Sequence, residues 1–163
     1  MPVVGHPAGG YGLIAVFVRS HQADTVLESL AGLEADMLFA LSWAAGPEPL
    51  GAVIGRERVL LGFPADAGTM DGDVVRYRPA SFMTRRVPMP VGEPDGRATP
   101  RLERIVRAFR AAGISAKAEP QMDAWLKTHA AFAVPLGQAV LAAGGPVALA
   151  ADPGAVSYLN RPT

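Results

Sequence analysis

Apolar residues along this chain follow two patterns, short unbroken runs and runs that recur every third or fourth position. Leu13-Ile14-Ala15-Val16-Phe17-Val18, Met37-Leu38-Phe39-Ala40-Leu41 and Val59-Leu60-Leu61-Gly62-Phe63 are of the first kind. Each is short and uncharged, as strands buried on both faces of a parallel sheet are. Helical patterns lie between them. Ser20 is placed to cap a helix over 22–33, with Val26, Leu27, Leu30 and Leu33 on one face. Pro47 opens a shorter helix to Ile54, and Gly55 ends it. Strand, helix, strand, helix, strand predicts a parallel α/β sheet.

The pattern changes after residue 64. Asp71-Gly72 followed by Val74-Val75-Arg76-Tyr77 predicts a hairpin. Residues 82–91 predict a further strand, which Pro88 and Pro90 confine to a sheet edge. Gly92-Glu93-Pro94-Asp95-Gly96 reads as a turn. Thr99-Pro100 supplies a helix cap followed by a proline at the first helical position. That helix is expected to reach Ala112, with Leu102, Ile105, Val106 and Phe109 as its stripe and Gly113 closing it. Ile114–Ala118 predicts a short strand, and Pro120 opens a longer helix with Met122, Trp125, Leu126 and His129 along one side. Asp152-Pro153 predicts the start of a last helix.

Residues 130–151 carry no charge and match the length of a membrane span. They are dominated by Ala and Gly and broken by Pro135 and Gly144-Gly145-Pro146, so their hydropathy is weak. A buried helix pair is the expectation, with no membrane as partner. Of the 163 residues, 50% are hydrophobic, so a real core is within reach. Fifteen Lys and Arg balance 15 Asp and Glu, which argues against a nucleic-acid partner. There is no cysteine, so disulfide and thiolate chemistry are excluded. A basic segment, apolar run and cleavage site are lacking at the N-terminus, and a cytoplasmic protein is expected.

Gly10-Tyr11-Gly12-Leu13-Ile14-Ala15 spells G-x-G-x-x-A. A dinucleotide fingerprint needs a strand before the glycines and a helix after them, so that backbone N–H groups and the helix start face the pyrophosphate. Here only Met1–Val4 precede the glycines, and the run Leu13–Val18 after them reads as a strand. The alternative is a lead into the first strand. Arg101, Arg104, Arg107 and Arg110 form a basic stripe that could meet phosphate, or simply be a solvated helix face. His6, His21 and His129 show no metal-ligand spacing, and no metal is expected. Ser42 and Ser157 lack the G-x-S-x-G setting of a serine hydrolase.

Three stretches in order, RVLLGFPADAGTMDGDVVRYR, VGEPDGRATPRLERIVRAFRAAGI and MDAWLKTHAAFAVPLGQAV, resemble ketopantoate reductases (2-dehydropantoate 2-reductases). The similarity runs over most of the chain from Leu13 onward. It implies an N-terminal Rossmann domain that binds NADPH, a C-terminal helical domain, and reduction of a small 2-keto acid. The expected fold is α/β, a partial Rossmann-like parallel sheet over 1–97 followed by the start of a helical C-terminal domain over 98–163. The chain matches the central portion of the family pattern, without the βαβ unit that carries the glycine loop.

By the same resemblance, Lys127 in W-L-K stands at the catalytic lysine, where an ammonium can hydrogen-bond the keto oxygen and protonate the forming alkoxide. Read without the family, it is a lysine whose stem lies along Trp125. V-R-S-H-Q resembles the family's L-K-x-x-Q and nominates Arg19 and Gln22 as cofactor-binding. The pattern also departs from the family. Ala131 and Pro135 stand where two substrate-facing Asn are usual, and Trp43 where another lies near the nicotinamide. A non-catalytic structural or interaction module is therefore the competing expectation. A sheet lacking its first unit exposes an edge, which makes a homodimer the expected assembly.

Overall fold

The computed structural model describes residues 10–65, 68–77, 87–152 and Gly154. The elements are β1 (Leu13–Val16), α1 (Ala23–Leu30), β2 (Asp36–Ala40), α2 (Glu48–Ile54) and β3 (Val59–Gly62). They continue with β4 (Gly68–Asp71), β5 (Val74–Tyr77), β6 (Met89–Gly92), α3 (Pro100–Ala111) and β7 (Ala116–Ala118). The helices α4 (Met122–Ala142) and α5 (Pro146–Ala150) come last. Single turns of 3-10 helix occupy Ser20–Gln22 and Arg56–Arg58. Two compact units divide the chain, 1–126 and 127–163. The boundary expected at 97/98 falls inside the first of them, between β6 and α3.

The first unit is built on a five-stranded, mostly parallel sheet in the order β1-β2-β3-β6-β7. β1, β2 and β3 run parallel, while β6 lies antiparallel to β3 and parallel to β7. The three apolar runs do form the three parallel strands. Their side chains alternate between two layers, as the period of a strand requires. Met37, Phe39, Val59 and Leu61 enter one layer with Leu27, Leu30, Leu50 and Ile54 of α1 and α2. Leu38, Ala40 and Leu60 enter the other with Met89, Val91, Leu102, Ile105 and Val106. In β2 and β3 the continuous apolar runs thus reflect helices on both faces, whereas β1 is buried only in part and leaves Ala15 and Phe17 exposed.

Several local expectations changed in the folded chain. The helix expected over 22–33 with Ser20 as its cap is only the eight residues of α1. Ser20 is taken into the preceding 3-10 turn, and Gln22 Oε1 accepts from the Arg19 backbone N–H at 3.0 Å. The strand expected over 82–91 and confined to an edge lies, in its described part, in the interior of the sheet. Met89 N–H donates to Ser115 at 2.8 Å and Glu119 N–H to Val91 at 2.8 Å on the β7 side. On the β3 side the ladder is two residues long, and Phe63 N–H donates to the Pro90 carbonyl at 3.1 Å. The return bond of that pair is the one a proline lacks. An interior strand can therefore hold Pro90 because the loss falls at the ladder's end.

The cap at Thr99-Pro100 forms as expected, with Thr99 Oγ1 accepting from the Leu102 N–H at 3.2 Å. Gly92 is fixed by close approach. A methyl group there would overlap the Glu119 carbonyl oxygen and Cβ of Met122. The hairpin also forms, as a separate two-stranded sheet. Its register places Gly68, Met70, Val75 and Tyr77 on one side and Thr69, Asp71, Val74 and Arg76 on the other. Met70, Val75 and Tyr77 are exposed, and Arg76 pairs with Asp71 at 2.6 Å.

In the second unit α4 continues through Pro135. The missing N–H leaves the carbonyl of Ala131, four residues back, without its helical donor. The buried helix pair expected over 130–151 is not what these residues make. Phe132, Val134, Leu141 and Val147 are exposed, and Leu149 is the buried one among the described residues. Apolar side chains spread around these helices instead of forming one stripe, so a single contact cannot cover them. Among the described residues no helix is long and apolar enough to cross a membrane. Asp152 Oδ1 accepts from the Gly154 N–H at 2.8 Å, a cap at the expected place, and the rest of that last helix lies outside the described residues.

Candidate functional site

In a parallel sheet, the backbone turns away at the carboxyl ends of the strands, and that edge is where open α/β folds receive ligands. A cleft of about 850 Å³ lies there. The turn after β1 contributes Arg19, Ser20, His21 and Gln22 to its wall. Leu41 and Ser42 come from the end of β2, Pro64 from the segment after β3, and Gly68 from the first residue of the hairpin. Among the described residues no carboxylate lines it. A guanidinium, an imidazole and two hydroxyls make the lining a donor set suited to an anion such as a phosphate ester.

Arg19 and Gln22, the two expected cofactor residues, are brought together on this wall. They also hold each other, since the Gln22 N–H donates to the Arg19 carbonyl at 2.9 Å besides the bond from the Arg19 N–H. Gln22 therefore shapes the turn that presents Arg19. The Arg19 side chain is exposed and makes no ion pair among the described residues. His21, Ser42 and Gly68 were not singled out for this wall by the sequence. For His21 and Ser42 the available signal was their place in the segments that follow β1 and β2.

Lys127 lies in the second unit, exposed on α4. Ala131 and Pro135 come after it at spacings of four, so the three share one helix face. That face carries no polar side chain at the two positions after the lysine. Trp43, the third departure, is half-buried against the core layer of α1 and α2. Its indole Nε1 donates to the Gly46 carbonyl, closing the loop after β2. Phe63, after β3, packs on Trp125 at a ring separation of 5.2 Å.

The glycines of G-Y-G-L-I-A stand at the opposite, amino edge of the sheet. Leu13–Ala15 of that stretch are β1 itself, and the Gly12 carbonyl accepts from the Asp36 N–H at 3.3 Å, where β2 begins. The strand–loop–helix setting of a phosphate loop is absent from these described residues. The glycines are a lead into the first strand.

The arginine stripe of α3 is not a free basic face. Arg110 Nε donates to the Ala116 carbonyl at 2.7 Å, Arg107 lies 3.6 Å from Glu103, and Arg104 lies 3.8 Å from Asp36. Arg101 is the most engaged. Its Nε donates to Glu93 at 2.7 Å and its Nη1 to Asp36 at 2.9 Å, and further bonds reach the Glu57 and Val59 carbonyls. Glu93 is 3% exposed and also accepts from the Thr99 hydroxyl. Hydrogen bonding to Glu93, with Asp36 adding to it, holds the Arg101 pKa above its ordinary value against the effect of burial. This cluster ties β2, β3, β6 and α3 together at the amino edge. Among the described residues no group of His, Asp and Glu could hold a metal ion.

Comparison with known proteins bears on the fold. No protein-family model matches the sequence, and no curated protein is similar to it. Solved structures are similar. One, from Ralstonia solanacearum MolK2 and assigned as a ketopantoate reductase, superposes with a TM-score of 0.68 at 19% identity, over 91% of this chain and 52% of that one. A dimeric ketopantoate reductase from Staphylococcus aureus gives 0.66 at 17% identity, again over 91% and 52%. A 2-dehydropantoate 2-reductase from Geobacter metallireducens GS-15 gives 0.56 at 20% identity, over 67% and 36%. The chain spans about half the length of the first of these structures. The chain has, over that span, the fold of the ketopantoate reductases.

Proposed function

We propose that this chain carries the core of an NADPH-dependent oxidoreductase of the ketopantoate reductase type, acting on 2-dehydropantoate or a related 2-keto acid. The observation that carries the reading is the cleft at the carboxyl edge of the parallel strands, with Arg19, His21, Ser20 and Ser42 as donors on its wall. Its donors fit the phosphate-bearing part of a dinucleotide. NADPH supplies the hydride that reduces the keto carbon. Arg19 binds phosphate, and Gln22 fixes the turn from which Arg19 projects. Lys127 Nζ donates a hydrogen bond to the keto oxygen and passes its proton to the alkoxide as the C–H bond forms. The whole reaction takes place in the cytoplasm, in an assembly with a second copy of the chain.

Trp43, Ala131 and Pro135 favour a second reading. Three positions that would orient substrate and cofactor carry no free amide, and the Trp43 indole is spent on Gly46. On that reading the chain keeps the fold as an interaction module without turnover. Calorimetric titration with NADPH, at low and moderate salt, separates the two. Saturable binding is expected, and Arg19→Ala is expected to weaken it roughly 10- to 100-fold, the value of a charge-assisted bond to phosphate. An intact chain that takes up no NADPH into the millimolar range leaves the module as the function.

A further inference from the structure

We infer that the outer edge of β1 pairs with β1 of a second copy, antiparallel about a two-fold axis through Ala15. The inference rests on the second copy proposed above and says where it binds. β1 is the first strand of the order β1-β2-β3-β6-β7, and among the described residues no strand borders its outer side. The bond from Asp36 N–H to the Gly12 carbonyl fixes which backbone groups point inward. Gly12, Ile14 and Val16 face β2, so the N–H and C=O groups of Leu13, Ala15 and Phe17 face outward.

Proteins guard such an edge with a lysine, a proline, a bulge or a covering segment. Leu13–Phe17 has none of the first three: LIAVF carries no charge and no proline, and Leu13–Val16 pairs with β2 in unbroken register. Among the described residues the adjoining sheet face is covered only in part, since Leu13 packs on the layer of Leu38 and Leu60. Ile14 and Val16 pack into the layer of α1 and α2, which puts Leu13, Ala15 and Phe17 on the face of α3. α3 lies chiefly against β6 and β7, and its apolar side chains reach the layer of Leu38 and Leu60. Ala15 is left exposed, and Phe17 is 52% exposed.

The strand is self-complementary. With Ala15 opposite the partner's Ala15, Leu13 stands opposite the partner's Phe17, and every outward donor meets an acceptor. A small residue sits on the axis, and a large apolar pair covers each side of it. No charge meets a like charge. An isologous contact of this kind closes after two copies.

The test is molar mass by light scattering, over a range of concentrations, for the intact chain and two variants. Ala15→Pro removes an outward N–H and leaves the ladder with β2 intact. Ala15→Lys puts two ammonium groups face to face on the axis, and its exposed position makes it neutral to the fold of one copy. The intact chain is expected at twice 17.0 kDa and both variants at 17.0 kDa, with unchanged circular dichroism. Should the proline variant unfold, the lysine variant decides alone. An intact chain of 17.0 kDa at every concentration overturns this pairing and the second-copy reading together. A dimer that survives both substitutions overturns the β1 pairing only, and places the second copy on another surface.

Discussion

Replacing Arg101 by alanine is expected to cost about 3–5 kcal/mol of stability, read from the midpoint of urea unfolding. The size comes from what the substitution leaves behind. Glu93 is 3% exposed, and Arg101 is its bidentate partner. Without the guanidinium a carboxylate stays in the interior, where the Thr99 hydroxyl still donates to it. The Glu57 and Val59 carbonyls lose a donor in the same step. Glu93→Gln combined with Arg101→Met removes both charges and is expected to recover much of the loss, because the cost lies in the unpaired ion more than in the absent bond. A single Arg101→Ala that unfolds at the same urea concentration as the parent would mean that the cluster does not hold the amino edge together.

Lys127→Ala is expected to lower keto-acid reduction by about 100- to 10,000-fold, the usual contribution of a positioned acid, while NADPH affinity stays where it was. The side chain is exposed on α4, so its removal should change stability by less than about 0.5 kcal/mol. That separates a catalytic loss from a folding defect. The split between kcat and affinity also separates Lys127 from Arg19, whose removal acts on cofactor uptake. Keto-acid turnover equal to that of the parent chain would remove Lys127 from the mechanism proposed above.

How much of the fold the sequence made readable depends on how local each feature is. The three parallel strands were legible because a short unbroken apolar run reads as a strand without knowledge of its neighbours, although only β2 and β3 are buried on both faces. The hairpin at Asp71-Gly72 and the cap at Thr99 were legible for the same reason, each being settled within four residues. Pro90 misled because its cost depends on where the partner strand stops, which only the register with β3 reveals. The arginine stripe misled in part because its partners, Asp36 and the Glu57 and Val59 carbonyls, are remote in sequence. G-E-P-D-G-R and T-P-R-L, which carried the resemblance, are residues that pack and clamp: Gly92 for close approach, Glu93 and Arg101 for the ion pair, Thr99 for the cap. Of the candidate site, Arg19 and Gln22 were nominated by the resemblance of V-R-S-H-Q to the family's L-K-x-x-Q, at a strand end where such sheets receive ligands. The remaining wall comes from the ends of other strands, and assembling it requires the strand order.

The hairpin β4–β5 gives the molecule two clocks. Four cross-strand pairs, exposed on both sides, make a ribbon that is marginal on its own, and its amides open at almost no free-energy cost. β2 and β3 lie between helices, and their amides reach solvent only when the whole first unit comes apart. The fast ribbon begins at Gly68, on the wall of the cleft, and the slow strands end beneath it. Whatever enters the cleft thus meets a rim expected to open far more readily than the strands of the core.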